Sequence, residues 1–189
     1  RKPPGLKSGT HLLMLTVRPL GPADIDQYRA LRLRALREEP TAFASSPEDE
    51  RLLSVETIES RLQQTMNQVM LGAFDGDTLV GLSGLLRERR SKLVHKAWIV
   101  SFYVAPEARR RGLGRLLLAH TLDHARAMPG LRQVNLGVNA ANVAARQLYE
   151  SMGFVAFGLE RGFMLVDGVP QDELSMVLVV PVRDGGATS

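Results

Sequence analysis

The stretch "RRRGLGRLLL", Arg109–Leu118, decides how this chain is read. Ahead of it stands "AWIVSFYVAP", residues 97–106, a near-continuous apolar run rich in β-branched and aromatic residues. Such a run predicts a buried central strand, stopped by Pro106. Behind it, "GLGRLLLAHTLDHARAMPG" has helical periodicity and ends at Pro129-Gly130. A strand, a short turn and a helix start form a ready anion site. The first amides of a helix have no intrahelical partner and carry positive partial charge. Gly112 and Gly114 lack Cβ, so a phosphate can come close to the backbone. Arg110, Arg111 and Arg115 can add charge-assisted contacts. A pyrophosphate suits this arrangement better than a base or a sugar.

Rival readings of the stretch fit less well. A Walker loop needs G-x-x-x-x-G-K-[ST], which is absent. A dinucleotide fingerprint needs a third glycine at position 117, which is Leu117. An arginine run alone is weak evidence for nucleic acid, since no aromatics are interleaved with it and no nucleic-acid motif occurs elsewhere. A solvated helix start would account for the arginines but not for two glycines directly after a buried strand.

Working outward, "LLMLTVRPL" (12–20) predicts a first strand and "GPADIDQYRALRLRALREEP" (21–40) an amphipathic helix with Ile25, Tyr28, Leu31, Leu33 and Leu36 on its apolar face. "TAFASSPEDERLL" (41–53) reads as a polar, solvated loop, and "SVETIESRLQQTM" (54–66) as a second helix behind Ser54. Asp75-Gly76-Asp77 between two β-like runs predicts a hairpin. "RQVNLGV" (132–138) predicts a strand. "NVAARQLYESMG" (142–153) predicts a helix with Asn142 at its start and Gly153 past its end. The segments 154–168 and 172–180 predict a final hairpin. The expected fold is α/β, a central mixed sheet flanked by helices on both faces. One domain spans residues 14–182, between an N-terminal extension (1–13) and a C-terminal tail (183–189).

Composition narrows the classes further. The 189 residues are 44% hydrophobic and 5% aromatic, so aliphatic side chains must fill the core. The longest apolar runs are far too short for a membrane span, and the first residues make a poor signal peptide. There is no cysteine, which excludes disulfides and a cysteine nucleophile within the chain and suits a cytoplasmic protein. The net charge of +4, with 20 arginines and 4 lysines, suits anionic ligands. His120 and His124 stand at i and i+4 on one predicted helix, but no third ligand is evident and no metal is expected.

At this point a family resemblance emerges. "FYVAPEARRRGLGRLLL" resembles the acetyl-CoA signature of the GNAT N-acetyltransferases, with its R/Q-x-x-G-x-G/A element on Arg109, Gly112 and Gly114. "NVAARQLYESMGF" resembles that family's N-x-x-A-x-x-L-Y-x-x-x-G-F pattern at Asn142, Ala145, Leu148, Tyr149, Gly153 and Phe154. The two motifs occur in the family's order and separation, and the likeness covers about residues 15–180. It implies a GNAT acyl-CoA N-acyltransferase fold and an enzyme transferring acetyl from acetyl-CoA to a primary amine, with a small molecule favoured as acceptor. It implies that backbone groups of Phe102, Tyr103 and Val104 pair with the pantetheine arm. It places the pyrophosphate on the turn through Arg109, Arg110, Arg111, Gly112, Leu113, Gly114 and Arg115, and puts Asn142 against the cofactor. Tyr149 would donate a proton to the departing thiolate; a phenol of pKa about 10 can serve a thiol of pKa about 8.5 without itself being ionised. Nucleic acid and membrane are not expected partners, and a homodimer is left open.

The base that must deprotonate the amine is not legible. Some family members carry a glutamate six residues before the last valine of the central strand; here that position is Trp98. Ribosomal-protein N-terminal acetyltransferases carry one five residues before the motif asparagine; here that position is Gly137. Glu88, His95, Ser101 and the acidic run Glu48, Asp49 and Glu50 are looser candidates. The empty base positions motivate an alternative, an acyl-CoA-binding or sensing domain that has lost the chemistry.

Overall fold

The computed structural model describes residues 15–181, so the expectations for residues 1–14 and 182–189, including Leu12–Met14 of the first strand, lie outside the described residues. Among the described residues, seven strands form one sheet: β1 (Leu15–Pro19), β2 (Gln68–Asp75), β3 (Thr78–Arg87), β4 (Lys96–Val104), β5 (Gln133–Asn139), β6 (Val155–Val166) and β7 (Val169–Val179). Their order is β1-β2-β3-β4-β5-β7-β6. Every neighbouring pair is antiparallel except β4 and β5, so the sheet is mixed. The helices are α1 (Ile25–Glu38), α2 (Pro47–Arg51), α3 (Val55–Leu62), α4 (Leu113–Ala127) and α5 (Val143–Ser151).

Local chemistry explains the boundaries. Gly76, at φ +60°, and Asp77 close the β2–β3 hairpin between the paired Asp75 and Thr78. Ser54 caps α3 by accepting the Thr57 amide at 3.2 Å, and Asn142 caps α5 by accepting the Ala145 amide at 3.0 Å. On α4, Leu113, Leu117, Leu118, Leu122 and Ala125 recur at helical spacing and are buried. A leucine buried in this way contributes about 1.5–3 kcal/mol.

Strands β2 and β3 are buried at consecutive positions, hence on both faces. Gly81, paired with Ala73, faces Leu117 of α4, whereas Gly84, paired with Met70, faces Val100 on the opposite side. Tyr28 and Arg32 of α1 share a cavity with Met70 and Val100. Helix α4 therefore covers one face, and α1 the other.

One expectation is overturned here. The run "SSPEDE" is not a solvated loop: Pro47–Arg51 forms α2, with Ser46 and Asp49 in a reciprocal capping box, and Glu50 is only 5% exposed. Arg61 of α3 donates to Glu50 Oε1 at 2.9 Å, which draws the carboxylate inward.

Candidate active site

Strands β4 and β5 touch over only three pairs, Lys96–Gln133, Ala97–Val134 and Trp98–Asn135. Beyond Trp98 they separate. Strand β4 stays bonded to β3 on its other edge, so the backbone facing β5 from Ile99 to Val104 has no ladder partner. The cause is local. Opposite Leu82–Gly84, β4 advances from Tyr103 to Val100, one residue more than β3, and Ser101 within that bulge takes φ +56°.

The turn after β4 is built from the arginine-glycine stretch. Gly112 is the N-cap of α4 at φ +78°, a left-handed conformation that disfavours any residue with a Cβ. A Cβ placed there would meet nothing within 4 Å, so conformation rather than crowding calls for glycine in the protein alone. At Gly114 a Cβ would lie 3.4 Å from Leu148 of α5, which is ordinary contact. Among the described residues the amides from Arg110 to Arg115 have no hydrogen-bond acceptor. They form a row of donors at a helix N-terminus.

The arginines divide in role. Arg109 donates from Nε to the Val104 carbonyl at 2.8 Å and from Nη2 to Glu39 at 2.8 Å. Arg111 pairs with Asp75 at 2.6 Å, tying the turn to the β2–β3 hairpin. Arg115 donates to Ser151 Oγ at 2.8 Å. Arg110, exposed and at φ +61°, has no side-chain partner among the described residues. Three of these cations thus hold the turn in shape, whereas the Arg110 side chain stays exposed. Leu113 presents its amide to the turn and buries its side chain.

Two cavities meet across the opening between β4 and β5. The first, about 800 Å³, is lined by Phe102, Tyr103, Val104, Arg109, Arg110, Gly114 and Asn142. The second, about 590 Å³, is lined by Tyr28, Arg32, Trp98, Ser101, Tyr149 and Glu173, among others. Phe43, Phe102, Asn139, Asn142 and Ala145 belong to both. An unpaired strand edge and a row of free amides in the first cavity fit an extended chain of amides ending in a pyrophosphate, which is the form of acetyl-CoA.

Tyr149 lines the second cavity beside Phe102, which lines both. It is 5% exposed, set edge-on between Phe102 and Phe154, with ring centroids 5.7 and 5.9 Å away. Burial pushes its phenol well above the ordinary value, so it keeps its proton. Its hydroxyl has no protein hydrogen bond among the described residues, yet is not sealed from the cavity. Tyr103, by contrast, gives its hydroxyl to Glu38.

The looser base candidates separate by position. Ser101 lines the second cavity, whereas Glu88, His95, Glu48, Asp49 and Glu50 do not. Glu88 accepts the Trp98 indole N–H at 3.1 Å instead. Among the described residues no group of three or more potential ligands could hold a metal ion.

The carboxylate that sequence reasoning missed is Glu173 of β7. It pairs with Asn139 of β5 in the ladder and leans over Gly137. A Cβ built on Gly137 would lie 2.5 Å from each of its carboxylate oxygens. Glu173 therefore fills the space that a side chain at position 137 would take. Burial first, and the neighbouring Glu160 second, raise its pKa above the ordinary carboxylate range. The absence of a side chain at Gly137 was the available signal, but it points to position 173 only once the β5–β7 register is known.

Comparison with known proteins agrees with this geometry. Residues 31–154 match the Acetyltransferase (GNAT) family. The N-alpha-acetyltransferase RimI of Mycobacterium tuberculosis is 40% identical over 98 residues, 52% of this chain and 59% of that protein. The chain spans 59% of the length of the curated relatives that it matches first. A GNAT-family acetyltransferase from Streptococcus pneumoniae superposes with a TM-score of 0.79 at 25% identity, covering 88% of this chain and 99% of that one. The fold is shared with YncA of Salmonella typhimurium, a structure solved with acetyl-CoA, at a TM-score of 0.76 and 20% identity over 93% and 99% of the two chains. With the motifs, the opened sheet and the match all falling on the same residues, the chain belongs to the GNAT acetyltransferase family.

Proposed function

We propose that the protein is an N-acetyltransferase that moves an acetyl group directly from acetyl-CoA to the primary amine of a small molecule. The observation that carries this is the opening between β4 and β5, with free amides at one end and Tyr149 and Glu173 beyond the other. The backbone of Phe102, Tyr103 and Val104 holds the pantetheine arm. The amides from Arg110 to Arg115, with the Arg110 side chain, hold the pyrophosphate, and Arg109 and Arg111 keep the turn in shape. Asn142, whose side-chain oxygen is spent on its cap, offers its amide nitrogen to the arm.

Acetyl-CoA supplies an activated acyl carbonyl and a thiolate leaving group. A lysine-like amine is almost wholly protonated at pH 7, so attack needs a base. Glu173 is placed to take that proton, and its raised pKa brings it nearer the working pH. Tyr149 retains its proton and gives a hydrogen bond to the forming thiolate. With no cysteine in the chain, direct transfer suits the site better than a thioester to the protein. The second cavity, at about 590 Å³ and walled by helices α1 and α3, has the size of a small-molecule site.

Thermal unfolding with and without acetyl-CoA tests the reading. At about 100 times Kd, linkage gives about 2.7 kcal/mol, a rise of roughly 5–10 °C for a chain of this size. Thiol release with a panel of primary amines then reports transfer. No shift at millimolar acetyl-CoA would overturn the proposal.

A further inference from the structure

Arg32 is a buried cation without an adequate partner. It lies on α1, 5% exposed, in the wall of the second cavity. Among the described residues its Nε and Nη1 are shielded from solvent and make no hydrogen bond, whereas Nη2 is not sealed from the cavity. The nearest carboxylate oxygen, Glu50 Oε2, is 3.5 Å from Nε, too far for a good bond. The other Glu50 oxygen is engaged by Arg61 at 2.9 Å. One carboxylate thus faces two guanidiniums. The Tyr28 hydroxyl, in the same cavity wall, is also buried with no hydrogen-bond partner among the described residues. A guanidinium cannot shed its proton to escape burial, so an anion has to meet it once water is excluded. The Phe43 ring, 4.7 Å from the Arg32 guanidinium carbon, steadies it from one side.

Across the same cavity the charge reverses. Glu173 is the one acidic residue that lines it among the described residues, whereas Arg32 and Arg61 line the α1–α3 wall. The geometry points to an oxyanion subsite at Arg32: the acceptor is a free amino acid, its carboxylate held by Arg32 and its amine presented at Glu173. Nη2, the guanidinium nitrogen not sealed from the cavity, is the one that meets a carboxylate oxygen there. This inference rests on the transferase reading above. It separates the chain from enzymes that acetylate a protein amino terminus, because an amine at the head of a peptide has no carboxylate beside it.

The test is thiol release from acetyl-CoA by the full-length protein. The acceptors are L-amino acids, each beside its carboxamide and its decarboxylated amine, and a short peptide with a free amino terminus. The acid is expected to exceed the other forms by on the order of 100-fold in kcat/KM, because a site built for a polar group rejects analogues that lack it. Arg32→Gln should bring that ratio close to one, chiefly through KM. Arg32→Lys, which keeps the charge but moves it on a shorter side chain, should fall between. If Arg32→Gln does not fold, the ratio for the unaltered protein and the Arg32→Lys series decide. Amides or the peptide accepted as well as acids would overturn the subsite, as would a ratio that survives Arg32→Gln. No turnover of any amino acid while acetyl-CoA still raises the melting temperature overturns the subsite and leaves the transferase reading standing. Loss of the acetyl-CoA shift itself brings down both.

Discussion

Replacing Gly137 with alanine should remove most activity and leave stability intact. The new Cβ would stand 2.5 Å from both Glu173 carboxylate oxygens, against an ordinary contact of 3.4 Å or more. Something must give by roughly 1 Å, and the free end of a glutamate side chain yields more easily than the β5–β7 ladder. A reacting group displaced by about 1 Å loses on the order of 100-fold in rate. Meanwhile alanine in a strand interior is favoured over glycine by about 0.5–1 kcal/mol, which offsets the cost of moving the side chain. The assay is kcat/KM by thiol release at saturating acetyl-CoA, beside the melting temperature. The expected result is a 10- to 100-fold loss in kcat/KM with a melting temperature within about 3 °C of the parent. Unchanged kcat/KM would refute the reasoning, because it would show that Glu173 does not act from the space above Gly137. A sharp variant of the same experiment exchanges the two positions: Gly137→Glu with Glu173→Gly clears the space above β5, moves the carboxylate onto that strand and should recover part of what Glu173→Gly alone loses.

Two further outcomes follow from the structure. Thr121 Oγ1 lies 2.8 Å from Ser83 Oγ and 2.9 Å from the Leu117 carbonyl, and Thr121 and Ser83 are fully buried, so Thr121→Val leaves the Ser83 hydroxyl stranded. It should lower stability by about 1–3 kcal/mol in denaturant titration, and a change below 0.5 kcal/mol, within the noise of ordinary surface substitutions, would contradict that. Glu173 has its pKa raised in the folded state, so the fold binds its proton more tightly than the unfolded chain does. Its contribution to stability is therefore full below the ordinary glutamate value of about 4.3 and is lost as pH rises through the raised value, just where kcat/KM should climb. Glu173→Gln should flatten both curves over that window, and a kcat/KM profile that keeps its acid limb in the variant would assign that limb to another group.

Much of the fold could be read in advance because its signals are local. The hairpin at Asp75-Gly76-Asp77, the caps at Ser54 and Asn142 and the glycine-containing turn into the helix after Pro106 each need only a few neighbouring residues. The candidate site was legible on the cofactor side for the same reason, since strand, turn and helix are consecutive in the chain. The acceptor side was not. Glu173 reaches Gly137 through the β5–β7 register, a long-range pairing that no spacing along the chain encodes. Glu50 sits in a polar run that reads as solvated, and only the arrival of Arg61 from α3 shows why it is inside. Arg32 did leave a trace: Tyr28, Leu31, Arg32, Ala35 and Leu36 are the buried stripe of α1, at i, i+3, i+4, i+7 and i+8. An arginine on that stripe breaks the apolar pattern, yet the reading of the helix passed over it and put Leu33, which is half-exposed, in its place.

The bulged end of β4 serves two masters along perpendicular directions. In the plane of the sheet, its backbone from Ile99 to Val104 borders the gap, where an added extended chain would be read by carbonyl and amide spacing and not by side-chain identity. Out of the plane, the side chains answer to the protein: Tyr103 to Glu38, Phe102 to the Tyr149 ring, Val104 to the core. The two sets of demands hardly compete. A strand arranged this way can exchange one side chain for another to suit a repacked core while its open backbone edge stays the same. The course of such an edge is stored in a backbone bend at Ser101, and an alphabet of residue types records it poorly.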